Sequence, residues 1–191
     1  MVALPKIILR RAPVFLALLF SQFVFLASAQ ENQGMLEICL KDHRDAIGDF
    51  AHLQVTIEAI LLSRKPGLRF WRSEWHELKP TADSADLTQY THGKTARVFR
   101  APITAAAFGG FHVKIKKIEG LLKKNQRAVP VKNTLGPVAL TIEVRPRQET
   151  VLIIDLVVTD FSDHPPRGYE LGLNGYELYL HNKRVVKIPP G

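Results

Sequence analysis

Apolar and polar residues alternate along at least five separate short segments of this chain, and that period of two rules out most folds. In MLEICLK (35–41), Leu36, Ile38 and Leu40 fall on one face and Glu37, Cys39 and Lys41 on the other. In HLQVTIEAI (52–60), Leu53, Val55 and Ile57 alternate with Gln54, Thr56 and Glu58. GFHVKIKKI (110–118), VALTIEV (138–144) and YELYL (176–180) repeat the pattern. Side chains of a strand point to opposite faces in turn, so such segments are half-buried strands. VLIIDLVVTD (151–160) is apolar on both faces at first and reads as a central strand.

Turn residues separate these runs: Lys65-Pro66-Gly67, His92-Gly93, Gly109-Gly110, Gly136-Pro137, Pro165-Pro166, Asn174-Gly175 and Asn182. Asn174-Gly175 carries the strongest short hairpin signal and predicts that Gly172 and Leu173 pair with Tyr176 and Glu177. Helix signals are weak. TAAAFGG around Ala105 and IEGLLKKN around residues 119–125 each predict a turn or two of helix. The pattern predicts an all-β fold, an antiparallel β-sandwich with one or two short helical turns.

The N-terminus is of another kind. Lys6, Arg10 and Arg11 precede an apolar stretch at residues 14–27, and ASAQ follows with Ala27 and Ala29 at the positions a signal peptidase reads. This predicts a signal peptide, residues 1–29, cleaved after Ala29. An uncleaved anchor fits less well, because the stretch is short and holds Ser21 and Gln22. Arg10-Arg11 suggests twin-arginine export, but Pro13 and the position of Phe15 suit that signal poorly. No cysteine follows the cleavage site, so a lipoprotein is not expected. Residues 30–191 then form one domain of 162 residues, long enough for its own core. Three of the 26 basic residues leave with the signal and none of the 18 acids do, so that domain carries +5. Cys39 is the only cysteine, so stability must come from packing and not from an internal disulfide. No second apolar span follows residue 30, which leaves peripheral membrane contact open but no transmembrane helix.

The order of segments resembles the secreted bacterial domains of domain-of-unknown-function family 4382. LEICLKDHRDAIGDFAHLQVTIEAI follows that family's opening strand, aspartate loop (Asp42) and acidic-aromatic step (Gly48, Asp49, Phe50) into a second strand. WHEL (75–78), DLT (86–88), APITAAAFGGFHVKI (101–115) and LIIDLVVTD, with Asp155, are similar to its later elements. The likeness spans residues 34–180. His43 replaces the loop proline, and Ala107 replaces a turn glycine. The resemblance implies an exported immunoglobulin-like or transthyretin-like sandwich in the bacterial periplasm or exterior, and no reaction.

Two acidic runs each close an apolar segment: Asp42, His43, Asp45 and Asp49 in one, Asp160, Asp163 and His164 in the other. Carboxylates suit calcium and imidazoles suit zinc, so these residues are candidate ligands of a divalent metal. The competing reading is turn chemistry, in which an aspartate at a strand exit bonds the backbone two residues on. Neither run has a calcium-loop or helical zinc spacing. No G-x-S-x-G, H-E-x-x-H or phosphate-binding glycine loop is present, so no catalytic residue is assigned. Lys114, Lys116 and Lys117 lie along one segment, with Lys123, Lys124 and Arg127 just beyond. They form a candidate surface for an envelope protein, acidic polysaccharide or anionic lipid, or else a solvated face and lysine-guarded edge strand. Nucleic acid is not expected, because Phe108 and Phe111 read as core. Trp71 and Trp75, among Arg69 and Arg72, are the remaining partner candidates. The expectation is an exported, non-catalytic interaction module of the cell envelope. A metal-binding domain and a carbohydrate-binding module are the alternatives.

Overall fold

The computed structural model describes residues 32–43, 45–64, 74–163 and 168–188. The expected signal peptide, Trp71 and His164 lie outside them. Twelve strands are present among the described residues: β1 (Gln33–Asp42), β2 (Phe50–Arg64), β3 (Trp75–Leu78), β4 (Ser84–Asp86), β5 (Ala96–Thr104), β6 (Ala106–Leu122), β7 (Ala128–Val129), β8 (Val131–Asn133), β9 (Val138–Val144), β10 (Glu149–Asp160), β11 (Tyr169–Leu180) and β12 (Lys183–Ile188).

They form two six-stranded sheets. The first runs β12-β11-β10-β1-β5, with β8 also on β11. The second runs β3-β2-β6-β7, with β4 on β2 and β9 on β6. The alternating apolar faces meet between them. Leu36, Ile38, Leu40, Leu152, Ile154 and Leu156 come from the first sheet, and Leu53, Val55, Ile60, Leu62, Phe111 and Ile142 from the second. Fully burying each such side chain contributes about 1.5–3 kcal/mol. The all-β sandwich is therefore as expected, and β10 is the middle strand of the first sheet's path.

Three expectations need correction. The sandwich is not purely antiparallel, since β1 pairs parallel with β10 and β8 parallel with β11. Neither helix-like segment is helical. Residues 106–122 are one long strand, and the helical turns are short 3-10 pieces at Ala46–Asp49 and Leu87–Gln89. A stretch of about a helical turn cannot cover its nucleation cost against a full ladder with a neighbouring strand. Thirdly, Asn174-Gly175 is not a hairpin turn. It lies within β11, where Asp155 pairs with Gly175 and Leu156 with Leu173, so Asn174 is the extra residue of a bulge. The hairpin that does join β11 to β12 turns at His181 and Asn182, with φ of 49° and 59°.

Bulges keep the alternation in step with the core. The Asn174 bulge moves the inward frame of β11 from Leu171 to Tyr176 and Leu178. In β6, Lys117 pairs with Thr56 but Ile115 with Ile57, which leaves Lys116 unmatched. Phe111 and Val113 face inward before it and Ile118 and Gly120 after it, so Lys116 and Lys117 are both exposed.

Candidate functional site

The two acidic runs leave the sandwich at the same end, because β1 and β10 are parallel neighbours. Asp42 pairs with Leu156, and β10 continues four residues further, to Asp160. Asp42 is buried at the end of β1, while His43, Asp49, Asp160 and Asp163 are exposed. Asp49 and Asp160 do approach one residue. Tyr169 stands opposite Asp160 in the ladder and donates its hydroxyl to Asp49 Oδ2 at 3.2 Å. Burial, then the charges of Asp49 and Asp160, push its phenol up to about 12. Asp160 itself is occupied with its turn: Oδ1 accepts from the Ser162 amide at 2.8 Å and from the Ser162 hydroxyl. That is the strand-exit chemistry of the competing reading. Among the described residues no three His, Cys, Asp or Glu side chains come together to hold a metal.

His43 turns away from those acids toward a different group. Its Nδ1 lies 3.4 Å from Asp155 Oδ2, beside a groove of about 320 Å³ lined by Lys41, Asp42, His43, His92, Gly93 and Asp155. Asp155 Oδ2 also accepts from Asn174 Nδ2 at 3.0 Å and lies 3.5 Å from Lys41 Nζ. Lys41 donates to Glu177 at 2.8 Å, and Glu177 takes a further bond from the Tyr179 hydroxyl at 2.6 Å. Burial alone would raise the Glu177 carboxyl. The bonds from Lys41 and Tyr179 and the charges of Lys41 and Lys187 more than offset it and hold the carboxyl at about 2. On the same outer face, Glu37 meets Arg97 and Arg100 at 3.1 Å each, and Arg100 also reaches Glu149. The outer side of the first sheet thus carries a band of ion pairs in two clusters, one around Lys41 and one around Glu37. Its carboxylates bond to neighbouring strands, which suits holding the sheet's register more than catalysis.

Cys39 lies within this band, buried, with its thiol donating to Glu37 Oε1 at 3.4 Å. Burial first, and then Glu37, raise its pKa to about 11, which disfavours the thiolate. Sequence reasoning passed over Lys41 and Glu177. The signal was there: Glu37 and Lys41 inside LEICLK and Glu177 inside YELYL, on strands otherwise apolar or aromatic.

The lysines of β6 are all exposed on the second sheet, as expected, but not bare. Lys114 bonds Glu58 and Lys117 bonds Glu119, each at 2.7 Å. Lys116 lines a groove of about 410 Å³ with Glu58, Lys79 and Asp83. β2 covers one side of β6 from Phe108 to Leu122, so wherever the other side is unpaired β6 is an edge strand guarded by lysines, as one of the two readings expected. Its other side is partnered only at the ends, by β9 up to Phe111 and by β7 from Gly120. Trp75 opens the outer strand β3 and is 40% exposed. No described helix is long and apolar enough to cross a membrane. Comparison with family models, with curated proteins and with solved structures returned no match.

Proposed function

We propose that this chain is an exported, non-catalytic interaction module of the bacterial cell envelope, and that it binds an acidic partner through the second sheet. The observation that carries this reading is the basic run of β6 and the turn after it. Lys114, Lys116, Lys117, Lys123, Lys124 and Arg127 are all exposed, and the acids nearest them, Glu58, Glu77, Asp83 and Glu119, are fewer. An excess of positive charge on one face raises the local concentration of anionic groups and speeds their encounter. On the first sheet Lys41, Arg97 and Arg100 are held in ion pairs with its carboxylates. Export rests on the N-terminal segment, in keeping with the likeness to the secreted family.

Biolayer interferometry with polyglutamate and an acidic polysaccharide, at 50 and 300 mM salt, tests the binding. Salt-sensitive binding that is lost in Lys114→Glu/Lys116→Glu/Lys117→Glu supports it. Absence of binding to every acidic probe at low salt overturns it. Mass spectrometry of protein recovered from a bacterial periplasm tests export, with a new N-terminus at Gln30 as the expected result.

A further inference from the structure

The strand opposite β6 is interrupted in an unusual way. β7 pairs Gly120 with Val129 and Leu121 with Ala128, while β9 pairs Phe111 with Val138 and Gly110 with Ala139. The two residue numbers sum to 249 in all four pairs, so β7 and β9 are two ends of one antiparallel partner in a single register. Between them, residues 130–137 match residues 112–119 one for one, with none to spare. Yet they leave the second sheet. Val131, Lys132 and Asn133 pair with Tyr169, Glu170 and Leu171 of the first sheet instead, and Thr134 bonds Leu171 through both its amide and its hydroxyl.

The sequence accounts for the departure. Pro130 and Pro137 bracket it, and proline has no N–H to give a ladder. Had the register continued, Lys132 would face Lys117 and Leu135 would face Lys114. Like charges directly opposite are destabilising. In the first sheet Lys132 bonds Glu170 at 2.8 Å, and Leu135 packs against the core.

Residues 112–119 therefore keep one edge without a strand partner among the described residues, over about 27 Å at strand rise. The slot is bounded at both ends by paired strand. A second copy of this chain is a poor occupant, because edge-to-edge pairing of two β6 strands sets lysines against lysines. The same lysines favour a strand of opposite charge. We propose that residues 112–119 are a β-augmentation slot that takes an acidic, extended segment of about eight residues from a partner protein. Main-chain bonds would supply affinity, and Lys114, Lys116 and Lys117 would select glutamate- or aspartate-rich strands. This deepens the acidic-partner reading and rests on it.

The test uses a fluorescein-labelled eight-residue peptide alternating valine and glutamate. A version N-methylated at every residue has the same charge but has no amide N–H to give a ladder on either edge. Fluorescence anisotropy at 50 mM salt reads affinity, and amide hydrogen exchange by NMR reads where the peptide lies. The expected result is binding by the first peptide, at least tenfold slower exchange within residues 112–119, and at least tenfold weaker binding by the N-methylated peptide. Lys116→Glu/Lys117→Glu, with its fold checked by circular dichroism, should also bind at least tenfold more weakly. Equal binding of both peptides without new protection at 112–119 overturns the slot and leaves the acidic-partner reading standing. Failure of both peptides and of polyglutamate overturns both. Protection of these amides in a dimer, before any peptide is added, means a second copy fills the slot and also overturns it.

Discussion

Replacing Glu177 by glutamine should make the stability of this protein less dependent on pH, by an amount the structure sets. The carboxyl is buried on β11 and is held at about 2, against 4.5 for the unperturbed group. A group whose pKa is depressed on folding contributes stability above its unfolded pKa and loses it as pH falls through the folded one. At 1.36 kcal/mol per pKa unit, the Glu177 carboxylate contributes about 3 kcal/mol at pH 7. At pH 3, between the two values, about 1 kcal/mol remains. Glutamine keeps the shape and can still bond Tyr179 and Lys41, and Lys41 retains Asp155 at 3.5 Å. The variant should therefore be less stable at pH 7, and its deficit should shrink by roughly 2 kcal/mol on going to pH 3. Urea unfolding followed by far-ultraviolet circular dichroism at pH 7, 5 and 3 measures this, provided m is unchanged. A deficit that stays constant within about 0.5 kcal/mol across that range would refute the assignment of the ion band as a pH-dependent support of the first sheet.

Gly120→Ala would place a Cβ 2.6 Å from Phe50 Cε1 and 3.1 Å from Val131 Cγ2. Thermal unfolding should show a loss of about 1–3 kcal/mol, and an unchanged melting temperature would mean the site yields freely. Asn174→Ala removes the amide that donates to Asp155 inside the bulge. The cost should be about 1–3 kcal/mol, measured by urea unfolding. Cys39 should resist Ellman's reagent in the native protein and react fully in guanidinium, since its thiol is buried with a pKa of about 11. Rapid reaction at pH 7 without denaturant would contradict that burial.

The alternating segments carry most of the fold, because one buried face per strand forces period two. Leu36, Ile38 and Leu40, or Leu152 and Ile154, were readable as core for that reason. Bulges were not readable. Asn174-Gly175 has the residues of a tight turn, and the choice between turn and bulge depends on whether β10 runs past it unbroken, which is a tertiary fact. The acidic runs were legible as strand exits, and Asp160 behaves as one. That His43 reaches Asp155 and not the neighbouring acids follows from the parallel pairing of β1 with β10, a contact between distant parts of the chain. The lysines of β6 were visible as a patch. That Glu58 would partner Lys114 was not, since Glu58 comes from another strand, and the gap beside them appears only when the registers of β7 and β9 are set together.

The first sheet has its earliest strand near its middle. β1 lies between β10 and β5, and Leu36 faces Thr150 across 114 residues of chain. Two chain orders follow. β1 can find β5 early, but its parallel neighbour does not exist until residues 149–160 have been made. Closing so long a loop ahead of any reward slows folding. Every strand of the second sheet lies before residue 145, so that sheet has all its parts before β10 is made, while the first sheet and the core shared between the two wait for β10.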